Sequence, residues 1–152
     1  MTETHAFRRS HGILIDAPPA AVYDYVTNPN SWPEWIAASH QMHSPDRPLE
    51  AGETFREDWH TRSGPAELNW EVLESDRPRR WIAETGTEFL GPIVAQYDFE
   101  AVDGGCRYTR TVINPARPKP PTEAMIQRVD EEATISLANI KRNVEAGGRG
   151  AA

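Results

Sequence analysis

The chain has 152 residues, a net charge of −7 at neutral pH, 38 % hydrophobic residues and a single cysteine. That length suits one domain with its own core, and the acidic balance argues against binding to a nucleic-acid backbone or an anionic membrane surface. One cysteine, Cys106, excludes an internal disulfide and fits a reducing cytosol.

The chain starts without an apolar leader-like run and holds no stretch of membrane-spanning length, so a cytoplasmic protein is expected. Phe7–Ile15 closes on Ile13-Leu14-Ile15 and reads as a first strand. Asp16 can cap a short helix from about Pro18 to Thr27, with proline tolerated in its first turn. Tyr23 and Tyr25 cannot share one face of that helix, so only one is expected in the core. Asn28-Pro29-Asn30 breaks it, and Ser31 can cap a second short helix, Trp32–Ala38.

Strand-like segments divided by turn signals follow. His40–Ser44 is short. In Glu53–Arg62, Phe55, Glu57, Trp59 and Thr61 share one face. In Glu67–Glu74 the corresponding set is Leu68, Trp70 and Val72, and in Arg80–Gly86 it is Trp81 and Ala83. Pro92–Ala101 aligns Ile93, Ala95, Tyr97 and Phe99; after the hairpin signal Asp103-Gly104-Gly105, Cys106–Asn114 aligns Cys106, Tyr108, Arg110 and Val112. Pro115–Pro121 is a proline-rich connection. The last element, about Pro121 to Val144, is the one long helical pattern: Met125, Val129, Ala133, Ser136, Leu137, Ile140 and Val144 recur at spacings of three and four. Thr122 caps its start, and Gly147-Gly148 stops it ahead of a frayed tail. Period-two alternation with one apolar face implies an antiparallel sheet covered on one side, and the long helix is the obvious cover. The expected class is α+β, a curved antiparallel sheet wrapped around one C-terminal helix, with space for a cavity between them.

Local phrases sharpen that reading: Ile15-Asp16-Ala17-Pro18-Pro19-Ala20-Ala21-Val22-Tyr23, Asn28-Pro29, Trp32-Pro33-Glu34-Trp35, Ala51-Gly52-Glu53-Thr54-Phe55, Asp76-Arg77-Pro78-Arg79-Arg80 and Gly104-Gly105-Cys106-Arg107-Tyr108-Thr109. In this order, from about Phe7 to Val144, the chain resembles the START-related SRPBCC superfamily in its polyketide cyclase/dehydrase-like branch. The resemblance implies a helix-grip fold with a deep apolar pocket between sheet and C-terminal helix. Members include aromatase/cyclases, dehydratases, lipid or hormone carriers and co-chaperones, so function has to be argued from the lining.

Two ionisable residues take inward parity, Glu57 and Arg110. In similar sequences the place of Arg110 is commonly bulky and apolar. A buried charge costs several kcal/mol unless paired. The pair can be an acid/base carboxylate beside a guanidinium that holds a carbonyl or enolate, a structural ion pair, or the product of a bulge that turns one of them outward. Tyr97 and Tyr108 can donate to the same carbonyl or simply reach the sheet edge. Trp35, Trp59, Trp70 and Trp81, with Phe55 and Phe99 and with Met125 and Val129 from the helix, form the expected apolar slot for a planar ligand. His5, His11, His40, His43 and His60 show no metal-site spacing, and no phosphate-binding glycine loop exists, so neither metal nor nucleotide cofactor is expected. Cys106 reads as a structural thiol and Arg77, Arg79 and Arg80 as a solvated turn. The loops Pro45–Gly52, Gly86–Pro92 and Asn114–Pro121 are the rim that the resemblance implies. The expected partner is a hydrophobic small molecule, met by a monomer or homodimer. The leading reading is cofactor-free cyclisation or dehydration; the alternatives are a carrier or sensor of a lipid or aromatic metabolite, and a co-chaperone-like interaction module.

Overall fold

The computed structural model describes residues 4–36, 40–61, 64–87 and 91–147. The elements are β1 (His5–Ile15), α1 (Pro19–Val26), a 3-10 turn (Pro29–Ser31), α2 (Trp32–Trp35), β2 (His40–His43), β3 (Thr54–Thr61), β4 (Gly64–Asp76), β5 (Arg80–Thr87), β6 (Gly91–Val102), β7 (Gly105–Arg117) and α3 (Glu123–Glu145). The seven strands form one antiparallel sheet in the order β1-β7-β6-β5-β4-β3-β2. Residues 37–39, the first two of which the sequence assigns to the end of α2, lie outside the described residues, as do 88–90 of one expected rim loop and the tail from 148.

Alternation sets the faces, and two irregularities bend them. The β4–β5 register shifts between Val72 and Glu74, which squeezes Leu73 outward and lets the strand curl. The β1–β7 register shifts between His5 and Phe7, opposite Asn114 to Arg117. This shift accommodates Pro115, which the sequence places in a connection but which lies within β7. The last β6–β7 partners are Val94 and Ile113, so proline's missing N–H removes no bond from that ladder.

Helix starts depart from expectation in a consistent way. Asp16 does not cap α1: Pro18 holds the cap position without a side-chain bond, and the Asp16 N–H donates to Glu145 of α3 at 2.8 Å. Ser31 does not cap α2; its Oγ accepts the Trp35 indole N–H at 3.2 Å. Asn28 caps the 3-10 turn instead, accepting from the Asn30 N–H. Tyr23 and Tyr25 are both buried, contrary to the sequence reading, because α1 is covered on two sides. Tyr23 packs on Phe99 of the sheet, while the Tyr25 hydroxyl donates to Glu34 and accepts from Asn143 of α3. The loop Pro45–Gly52 is mostly exposed, is pinned to the core at one residue, and lines neither chamber described below. Leu49 is buried there, and its carbonyl accepts the Trp81 indole N–H at 3.0 Å.

α3 follows its sequence pattern. Thr122 accepts from the Met125 N–H, Glu123 stands in the first turn and Arg142 in the last. Its buried residues are Ala133, Ser136, Leu137, Ile140 and Val144. The N-terminal part is tied to β1 by Asp130, which accepts two bonds from Arg9, at 2.8 and 2.6 Å, and one from His11 at 2.7 Å. The Arg9 bonds, followed by His11, hold the Asp130 carboxyl well below the usual carboxylate range. A depressed carboxylate stabilises the fold fully above its ordinary pKa, and this contribution fades as the pH falls below it. In Asp130→Asn, thermal unfolding followed from pH 7 to pH 3 will therefore show a lower Tm at neutrality and a flatter acid limb than the wild type.

The Asp103-Gly104 turn closes β6 onto β7, with Gly104 at φ 79°, where glycine is unstrained. Gly105 is required for a different reason. A Cβ there would stand 2.1 Å from the Ile15 carbonyl oxygen. That oxygen is backbone at the end of β1, so it cannot swing aside. Gly105→Ala will cost about 2 to 4 kcal/mol by forcing β1 off β7, read as a fall in the midpoint of urea unfolding; an unchanged midpoint would show that β1 yields freely.

Candidate functional site

Between the inward sheet face and the helices lies a cavity of about 620 Å³. Its wall is mainly apolar: Trp59 of β3, Leu68 and Trp70 of β4, Ile93 and Ala95 of β6, and Trp32 and Ile36 from the α2 segment. Four residues give it chemistry, namely Glu57, Tyr97, Arg110 and, at the helix, Glu132.

Glu57 is 2 % exposed. Strand parity aims it inward between Phe55 and Trp59, and its Oε1 accepts the Trp70 indole N–H at 3.1 Å. Tyr97 is fully buried. Its hydroxyl has no partner at hydrogen-bond geometry among the described residues, although the Arg110 guanidinium is close enough to act on it. Burial pushes the phenol up to about 12, Arg110 pulling it back and Glu57 adding to the rise, so it remains an O–H donor at neutral pH. Arg110 sits with its guanidinium carbon 5.6 Å from the centroid of the Trp35 ring, a cation–π contact. Its buried Nε has no acceptor, and Arg110 makes no ion pair among the described residues.

The remaining expected site residues divide by depth. Trp35 lies under Arg110 and not on the wall. Phe55 and Trp81 stack in the core, with Trp81 also against Tyr97 at 5.2 Å, and Trp32 meets both edge-on. Tyr108 stands behind Tyr97, ring centroids 5.8 Å apart, and Phe99 stacks on Tyr108 at 5.2 Å, so neither reaches the cavity. Alternation along a strand gives the face and not the distance from its end, which is why Tyr97 and Tyr108 look alike in sequence.

Met125 and Val129 line a second, smaller chamber of about 330 Å³ between α3, β1 and the end of β7. The two chambers meet at Arg110, Val112 and Glu132, which border both. The sequence reading missed Trp32, Glu132 and Ile135 on the wall, and Asn114 in the small chamber. Asn114 was legible in principle, being two residues past Val112 with the same parity. Glu132 and Ile135 flank the apolar stripe of α3; Ile135 is 51 % exposed yet borders the cavity, which places the opening there.

Other clusters are structural. Arg77 pairs bidentately with Asp24, Arg80 with Asp98, and Arg79 with Asp76. Cys106 is buried, and burial raises its thiol pKa. Among the described residues no three His, Cys, Asp or Glu side chains gather to hold a metal ion, and no helix is long and apolar enough to cross a membrane.

Comparison with known proteins bears on this arrangement. Residues 5–145 match the family described as polyketide cyclase/dehydrase and lipid transport. No curated protein matches the sequence. Among solved structures, Ara h 8.0201 superposes with a TM-score of 0.71 at 14 % identity, covering 93 % of this chain and 99 % of that one. Protein Ms6760 from Mycobacterium smegmatis gives 0.64 at 20 % identity, covering 91 % of each chain. The di-domain ARO/CYC StfQ of the steffimycin biosynthetic pathway gives 0.69 at 13 % identity, covering 93 % of this chain and 52 % of that one. At these identities the structures establish a shared helix-grip fold, and the family match spans nearly the whole sequence. The chain is a member of the polyketide cyclase/dehydrase and lipid transport family.

Proposed function

We propose that this protein binds a hydrophobic, carbonyl-bearing molecule in the larger chamber and catalyses cyclisation and dehydration by proton transfer, without a cofactor. One observation carries the reading: a carboxylate, Glu57, stands on an apolar, Trp-lined wall that also carries Arg110 and the partnerless O–H of Tyr97. Low polarity around a base strengthens its pull on a weakly acidic C–H. Glu57 takes a proton from a carbon next to a ketone, and the enolate oxygen is stabilised by the Tyr97 hydroxyl and the Arg110 charge. The enolate carbon attacks a second carbonyl of the same molecule, forming the ring C–C bond, and the resulting alkoxide recovers the proton from Glu57. A second proton removal expels the hydroxyl as water and leaves a double bond. The walls hold the chain bent so that the two carbons meet.

Non-catalytic carriage is the second reading, favoured by the lipid transport in the family description. It needs the same chamber, with Glu57 and Arg110 as polar anchors. A co-chaperone-like module needs no open chamber of this size, so it has less support.

Mass spectrometry of the organic extract of freshly purified protein would identify a retained ligand. Proton exchange at the α-carbons of 2-tetralone in D2O, followed by NMR, would then separate the two readings. Faster exchange with protein than without supports catalysis; binding with no acceleration supports carriage.

A further inference from the structure

We infer that the smaller chamber seats a carboxylate, so that the ligand is an amphipathic organic acid whose apolar body fills the larger chamber. This rests on reading the larger chamber as the ligand site, but not on turnover there.

Two donors in the small chamber are unused. Asn114 is 5 % exposed, borders the chamber, and its Nδ2 has no hydrogen-bond partner among the described residues. Leaving such an amide buried and dry costs about 1 to 3 kcal/mol, a penalty that a ligand acceptor would relieve. Arg110 borders both chambers, and its buried Nε is likewise without an acceptor. A guanidinium at the junction and an amide deeper in give a charged partner for one end of a molecule that lies across both spaces.

The chamber's cations point to an anionic head group. Arg9 and His11 are occupied by Asp130, and the Arg117 Nε–H donates to the Lys119 carbonyl at 3.2 Å. Arg110 and Arg117 are thus the cations of this chamber left without an anion among the described residues, and Arg110 is the one that also borders the larger chamber. Glu132 is the opposing charge, bordering the same junction. It lies exposed on α3, where solvent screens it. A neutral lipid would leave Arg110 and Arg117 uncompensated.

The probes are 4-(1-naphthyl)butanoate and its primary amide, matched in body and differing in head-group charge, titrated calorimetrically at pH 7.5. Wild-type protein should bind the acid about tenfold tighter than the amide. Asn114→Leu, which keeps the volume and removes the donor, should narrow that preference to about threefold, with Arg110 holding the rest. Glu132→Gln should tighten the acid further and leave the amide unchanged. Thermal melts confirm that each variant is folded; should Asn114→Leu fail to fold, Asn114→Asp replaces it and should weaken the acid selectively. Equal affinity of wild type for acid and amide overturns the carboxylate seat while leaving the larger chamber as a binding site. An unchanged preference in folded Asn114→Leu overturns the role of Asn114. Binding of neither probe overturns the seat and the reading beneath it together.

Discussion

Glu57→Gln will remove catalysis and spare binding. The substitution keeps shape and volume, and the new amide oxygen can still accept the Trp70 indole N–H that now reaches Glu57 at 3.1 Å. What disappears is the buried carboxylate of the large chamber, the one proposed to take a proton from carbon. General-base contributions run from about a hundredfold to ten-thousandfold, so α-proton exchange should fall to near the protein-free rate. Affinity for a bound ketone should change by less than about threefold, since the wall is intact. Unchanged exchange would show that Glu57 is only an anchor and shift the reading to carriage. Loss of binding together with exchange would make the residue structural.

Trp81→Ala will produce the largest loss of stability among single core changes. Trp81 has no exposed surface; it stacks on Tyr97 and Phe55, meets Trp32 edge-on, and its indole N–H donates to the Leu49 carbonyl. Removing a fully buried indole costs about 3 to 5 kcal/mol, or about 10 to 15 °C in Tm for a domain of this size. Two functions fail at once, because the loop carrying Leu49 loses its tie to the sheet and Tyr97 loses the ring that fixes its angle. Trp81→Phe separates them: the aromatic contact mostly survives, while the Leu49 carbonyl loses its donor, about 1 to 3 kcal/mol. Equal losses in the two variants would show that the hydrogen bond, and not the packing, dominates.

The fold was readable because each strand repeats the same instruction. Phe55, Glu57 and Trp59, then Ile93, Ala95 and Tyr97, alternate so regularly that register and face follow together. Glu57 and Arg110 emerged by the same rule, as charged residues in apolar positions. What alternation could not supply was depth and neighbours across the cavity. Trp32 and Trp35 both look like core aromatics, yet one borders the chamber and the other supports Arg110 from beneath. The expected caps fail because these residues meet other partners: the Asp16 backbone N–H donates to Glu145 of α3, and the Ser31 hydroxyl accepts from the Trp35 indole one turn on. Tyr23 and Tyr25 are both buried, where the helix pattern allows only one, because α1 has a second covered face, supplied by α3 more than a hundred residues later.

The uneven attachment of α3 makes it a cantilever. Its buried residues begin at Ala133, and Asn139, Asn143 and Glu145 bind that end to Trp35, Tyr25 and Asp16. The other end, above the small chamber, rests on half-buried Met125 and Val129 and one clamp at Asp130. Releasing that clamp opens a route to both chambers without breaking any strand pairing. Local opening should therefore be far less costly than global unfolding. Backbone amides of residues 127–130 will take up deuterium well before those of 137–144, and a bound acid will slow the first group and leave the second as it was.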